Sequence, residues 1–245
     1  MGQKEFTKEW KMVDSLKEIG LPASALEEVM KIYHQSKKNQ IHEQYIKSLI
    51  YKIELEEEYQ EDSREKAIAF VQEELKDAEM PVRQILCSVL AQMYWDYYLE
   101  NQWTINSRTP VYENRSMDIS TWDARRFVEI CTDYFLRSLS EEQILKRTKL
   151  SHFGAIVEGD KNTRKFRPSL FDLLAFRAID FFSEENPALI KAADTFSLNN
   201  GKYFALAGEF MQDVLETDDR MSFEYLVLKL YQEVIRFHAI EIPDR

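Results

Sequence analysis

Apolar side chains recur along this chain at spacings of three and four residues, segment after segment. Phe6, Trp10, Val13, Leu16 and Ile19 fall on one face of a first helix, the pattern of a buried helical stripe. Gly20 suits the left-handed position that closes a helix, and Pro22 pre-sets the first turn of the next. That second helix carries Ala25, Leu26, Val29, Ile32 and Tyr33 to about Lys38. A third runs from about Ile41 to Tyr59, and a fourth starts near Ser63 in SREKAIAFVQEELKDA. Pro81 opens a fifth, PVRQILCSVLAQMYWDYYLENQW. Read as pairs, residues 8–38, 41–78 and 81 onward form helical hairpins, with a period close to the ~34 residues of a tetratricopeptide (TPR) repeat. The small residues that let paired helices approach closely are missing, so the expected repeat is a divergent one.

The rhythm breaks between Trp103 and Trp122, in WTINSRTPVYENRSMDISTW. Residues 104–120 are expected to form an ordered connecting loop, with the two tryptophans anchoring its ends, because loops of this length are held down when they serve a function. Ser120 or Thr121 is the expected N-cap of TWDARRFVEICTDYFLRSL, with Asp123 in its first turn. Ser140 with Gln143 reads as a capping box for SEEQILKR. In LSHFGAIVEGDKNTRKF the polar tip from Glu158 to Arg164 is expected to be an exposed, mobile loop. Pro168 then opens PSLFDLLAFRAIDFFSEE, apolar nearly all round and therefore buried among other helices. At least one helix is expected between Lys202 and Leu215, and MSFEYLVLKLYQEVIRFHA, capped by Asp219 or Ser222, is the last.

The fold expectation is all-α: helical hairpins in a divergent TPR-like or α-solenoid arrangement, followed by a helical bundle. Residues 1–103 would be the hairpin array, 104–120 the connecting loop and 121–245 a C-terminal helical part packed on the first as one continuous unit. Composition agrees, since 6 Gly and 6 Pro in 245 residues are too few for the turns of an all-β fold. A net charge of -11 argues against nucleic acid, whose recognition depends on clustered Lys and Arg. No apolar run reaches the roughly 18 to 20 residues that cross a bilayer. The N-terminus, MGQKEFTKEW, lacks the apolar core of a secretory signal, so the protein is either cytosolic or has lost a leader.

Candidate chemistry is sparse. The histidines, His34, His42, His152 and His238, form no pair at metal-ligand spacing, and His42 in a bend and His238 at a helix C-terminus fit structural roles, the latter satisfying terminal carbonyls. Cys87 and Cys131 sit among apolar residues without CxxC spacing and read as buried thiols, with their pairing left open. There is no GxSxG, no P-loop and no GxGxxG, and ELEEEYQED lacks the glycine turn of a calcium loop. Glu129 and Asp133 share a helix face, yet Arg125 and Arg126 beside them point to surface ion pairs. No catalytic, cofactor-binding or metal-ligating residues are assigned. In the aromatic run MYWDYYLENQW, Trp95 and Tyr98 share the face of Leu86, Cys87 and Leu90, which points to packing. Tyr94, Tyr97 and Tyr112 are the expected partner surface, and Trp10, Trp95, Trp103 and Trp122 the expected structural anchors.

Several stretches carry a resemblance: W-x-x-V-D-S-L at Trp10 to Leu16, G-L-P-x-S-A-L at Gly20 to Leu26, Y-W-x-Y-Y at Tyr94 to Tyr98, N-Q-W-x-x-x-x-R-T from Asn101, D-I-S-T-W-D at Asp118 to Asp123, and RPSLFDLLAFRAIDFF at Arg167 to Phe182. Together they resemble the N-terminal helical region of the large alpha-2-macroglobulin-family proteins of Bacteroides-type bacteria, over most of the chain. The resemblance implies a helical region set ahead of many β-sandwich domains in a secreted, periplasmic or envelope-anchored endopeptidase inhibitor. Some members trap proteases with a Cys-Gly-Glu-Gln thioester; neither Cys87 nor Cys131 has that context, so no catalytic residue is carried over. The implied function is a non-enzymatic docking module without a cofactor. Its partners would be the downstream macroglobulin domains or another envelope protein, with proteases met only through the full-length protein. The alternative is a free-standing TPR-like cytosolic adaptor that binds a peptide or protein partner.

Overall fold

The computed structural model describes residues 6–57, 63–108, 116, 118–157, 161–184, 196, 198 and 200–241, with the backbone alone at 161–163, 240 and 241. Its α-helices are α1 (Thr7–Glu18), α2 (Pro22–Lys38), α3 (His42–Glu57), α4 (Ser63–Asp77), α5 (Val82–Asn106), α6 (Ala124–Ser138), α7 (Glu142–Arg147), α8 (Lys161–Phe166), α9 (Leu170–Phe182), α10 (Ala207–Gln212) and α11 (Phe223–Glu241). The fold is all-α, and no strand forms among the described residues. Two compact units divide the chain differently from the expected boundary at residue 103: one comprises Met1–Leu86 with Thr148–Pro168, the other Cys87–Arg147 with Ser169–Arg245. The division falls inside α5, where the sequence shows no breaker, because a single continuous helix serves both.

In the first unit α1, α2 and α3 pack in chain order. Phe6, Trp10, Val13, Ala25, Val29, Ile32 and Leu55 make its core, with Leu16, Leu26, Ile41 and Tyr51 packed against it. The α1–α2 turn closes as the sequence suggests: Gly20 has φ 74, its N–H donates to the Lys17 carbonyl and that of Leu21 to the Leu16 carbonyl, the paired bonds that end a helix. The α2–α3 turn uses the same pair of bonds, from Gln40 to Lys37 and from Ile41 to Ser36, yet places Gln40 at φ 55. Residues 148–168 belong here through the Ala155 N–H, which donates to the buried Glu43 carboxylate at 2.6 Å. The expected mobile tip is corrected from 161 onward, where the chain is helical; 158–160 lie outside the described residues.

The second unit is built on aromatics. Trp95, Tyr98, Phe127, Phe135, Phe171, Phe181 and Phe182 are all buried, in α5, α6 and α9. α9 is buried nearly all round, as its apolar circumference requires. Its cap differs from the expected Pro168 start: Ser169 is the N-cap, Asp172 takes the N3 role, and each side chain accepts the other's backbone N–H. α6 is capped by Asp123 rather than Ser120 or Thr121, its carboxylate accepting from the Arg126 N–H at 2.9 Å. The reason is that Trp122 is extended, at ψ 149, which delays the helix by two residues. Ser140 does not open α7; its hydroxyl donates to the Arg137 carbonyl and so closes α6. α11 starts on Ser222, whose hydroxyl accepts the Tyr225 N–H at 3.3 Å.

Candidate functional site

Of the aromatics expected at a partner surface, Tyr94 is in the core instead. It stacks on Trp122 at 5.4 Å and on Tyr134 at 6.0 Å, because the face of α5 that carries it meets α6. Tyr97 is half-buried against Phe127, and Tyr112 lies outside the described residues. Among the expected anchors, Trp10, Trp95 and Trp122 are buried. The indole N–H of each has an acceptor: Gln44 Oε1 at 2.6 Å, Glu184 Oε2 at 3.1 Å and the Ser116 carbonyl at 2.9 Å respectively. Trp103 is not an anchor, since it is 90% exposed. α5 runs on to Asn106, past the point where a loop was expected. Ile105 therefore shares the buried face of Tyr98, whereas Trp103 lies about 140° round the helix from Tyr98.

The first unit carries a polar cleft of about 240 Å³ between the α2–α3 turn and the end of α4, lined by Ser36, Lys37, Gln40, His42, Tyr45, Glu74, Asp77, Ala78, Glu79 and Val82. On its wall the Glu74 carboxylate, 9% exposed, accepts hydrogen bonds from the Tyr33 hydroxyl at 2.7 Å, from the Tyr45 hydroxyl, and from the Lys37 ammonium at 2.5 Å. Lys37 Nζ also lies 5.6 Å and 5.7 Å from the centroids of the Tyr33 and Tyr45 rings, within cation–π range. Burial alone would push the Glu74 carboxyl up, but donation by Lys37, Tyr45 and Tyr33 and the Lys37 charge outweigh it, and the net shift is down. Burial, followed by hydrogen bonding to Glu74, raises both phenols. Burial lowers His42, with the Glu79 charge pulling weakly the other way, which favours its neutral imidazole. Nothing local in QEELKD marks Glu74, since the same pattern serves a solvated helix face.

The second unit holds a different buried carboxylate. Asp172, fully buried, accepts from the Ser169 backbone and hydroxyl and lies 2.7 Å from His238 Nε2. His238 thus meets a side chain of α9, not the helix-end carbonyls expected of it. On the exposed face of α6, Arg125 and Arg126 lie 3.7 and 3.8 Å from Glu129, the surface ion pairs expected there, while Asp133 pairs instead with Arg137 at 3.3 Å. Among the described residues no group of His, Cys, Asp and Glu could hold a metal ion, and no helix is long and apolar enough to cross a membrane.

A surface feature lies in the stretch 200–216. Phe204, Leu206 and Val214 are 75%, 79% and 73% exposed on this one segment. The segment is held to α11 from beneath: Phe210 is buried, the Gln232 amide donates to the Phe210 and Asp213 carbonyls, and the Arg236 guanidinium donates to the Met211 carbonyl. Exposed Glu209, Glu216 and Asp218 surround these apolar side chains in sequence, against one lysine, Lys202, and one arginine, Arg220. A helix is expected between Lys202 and Leu215, but the poor periodicity of the stretch does not tell which of its residues are left uncovered. No protein-family model, no curated protein and no solved structure matches the chain.

Proposed function

We propose that this chain is a non-enzymatic helical interaction module, the N-terminal helical part of an envelope macroglobulin-type protein, and that it docks through the segment 200–216. The observation that carries the docking role is the exposure of Phe204, Leu206 and Val214 on a segment clamped by Gln232 and Arg236. Three large apolar side chains left exposed close together along one anchored segment suit an interaction site better than singly scattered ones do. Anchoring lowers the ordering cost of binding, because the backbone is already held when the partner arrives. The acidic residues around the patch favour a partner with an apolar surface and a basic rim. The macroglobulin assignment rests on the motifs of Trp10 to Leu16, Asp118 to Asp123 and Arg167 to Phe182. The stacking of the N-terminal hairpins in a TPR-like manner is part of the same reading.

The test is photo-crosslinking in the native host, with a photoreactive residue at position 204 of the full gene product and, as control, at the exposed Lys8. The expected result is a crosslink from 204 well above that from 8, to a following domain of the same protein or to an envelope protein. Equal labelling from the two positions would remove the docking assignment. A cytosolic partner captured at 204 would keep the docking role and replace the macroglobulin reading with the adaptor one.

A further inference from the structure

We propose that the outer face of α1 is a self-association surface, on which a second copy of this chain packs its own α1 in antiparallel register. α1 packs on α2, and its inner face carries the buried Trp10 and Val13. At about 100° per residue, Lys8, Met12, Ser15 and Ile19 fall within about 60° of one another, roughly opposite those two. All four are exposed, Met12 by 52% and Ile19 by 66%. Polar side chains at Met12 and Ile19 would serve the fold of one chain equally well. Two large apolar groups seven residues apart, with a small one between them, suit a contact with another helix. α1 lies in the first unit, so the inference does not rest on the docking role of the segment 200–216.

What identifies the occupant as a second copy is the charge beside that strip. Lys11 and Glu18, both exposed, lie on one flank of it, within about 20° of each other round the helix. A rise of ~1.5 Å per residue sets them about 10.5 Å apart, too far to pair within one chain. Two α1 helices related by a two-fold axis near Ser15 bring like flank against like flank with the chain direction reversed. Met12 of each copy then meets Ile19 of the other, and Lys11 of each meets Glu18 of the other, so both ionic contacts form only between copies. Lys8 and Lys11 offset Glu9 and Glu18 around the strip, so this face lacks the negative excess of a chain of net charge -11 and does not repel a second copy. One pair of short helices buries less than the about 1,200–2,000 Å² of stable interfaces, which makes the association weak and dependent on concentration.

The test is sedimentation velocity of the full chain over a concentration series reaching about 0.5 mM, where weak complexes become populated. The expected result is a reversible equilibrium between monomer and dimer. Lys11→Glu and Glu18→Lys, at exposed positions, should each weaken it at least roughly tenfold, since each sets like charges at both ionic contacts. An equimolar mixture of these two variants should associate about as well as the wild type, because the mixed dimer regains opposite charges at both contacts. The double variant Met12→Ser, Ile19→Ser should lose dimerisation with its helix content unchanged, and Phe204→Ser should dimerise as the wild type does. A monomeric wild type, single reversals without effect, or a mixture no better than its components would each overturn the proposal. Loss of association in Phe204→Ser would also overturn it and would assign self-association to the segment 200–216.

Discussion

At the level of single residues, two tryptophans that look alike in the sequence separate in the structure. Trp122 is 4% exposed, stacked on Tyr94 and hydrogen-bonded to the Ser116 carbonyl, whereas Trp103 is 90% exposed. Trp122→Ala should destabilise the fold by about 3–5 kcal/mol, as large-to-small core changes do. Trp103→Ala should stay within about 0.5 kcal/mol, as surface changes do. Urea denaturation midpoints of the two variants check both, and equal midpoints would contradict the assigned burial. Glu74 is the second case. Its carboxyl is held below the ordinary carboxylate value when folded. The stability it contributes is therefore complete above the unfolded value and is lost as pH falls through the folded one. Glu74→Gln should flatten the acid limb of the melting temperature against pH. His42 acts in the same direction in a higher window. Its depressed folded value makes stability fall as pH drops through the ordinary histidine value of 6.5, because the unfolded chain takes up the proton first. An unchanged profile in His42→Gln between about pH 7 and pH 5 would contradict this.

At the level of elements, helix caps decide where α6, α9 and α11 begin, and sequence reading located them within a turn. The residual error has a single cause: several of Ser120, Thr121 and Asp123, or Pro168 and Ser169, are competent starts, and the tertiary demand on Trp122 or Leu170 selects among them. Asp172 shows how a cap becomes a tertiary contact, since the carboxylate that accepts the Ser169 N–H also meets His238 of α11. Ser169→Ala should cost about 1 kcal/mol, a typical N-cap loss. Asp172→Ala should cost about 2–4 kcal/mol, because it also strips a buried partner from the Ser169 hydroxyl and from His238. If the two variants unfold at the same urea concentration, the His238 contact contributes nothing to stability.

At the level of the whole molecule, both cysteines are buried thiols outside any disulfide, Cys87 1% and Cys131 0% exposed. The Cys131 thiol donates to the Ala91 carbonyl, and burial pushes it well above the ordinary thiol value. Since the thiolate is the reactive form, neither cysteine should be alkylated by iodoacetamide in the folded chain. Alkylation should follow the urea unfolding curve, and fast labelling without denaturant would contradict a closed core in the second unit. The sequence by itself determined the all-α class and the surface ion pairs of Arg125 and Arg126 with Glu129, because 3.6-residue periodicity, turn residues and neighbouring charges act within a few residues of each other. The tertiary structure alone decided that 148–168 joins the first unit, that Tyr94 faces inward and Trp103 outward, and that Glu74 gathers Tyr33, Lys37 and Tyr45 around a cleft. These contacts join residues 28 to 112 positions apart, and the local hydrophobic pattern, which repeats every turn, carries no information about which distant helix will cover a given face.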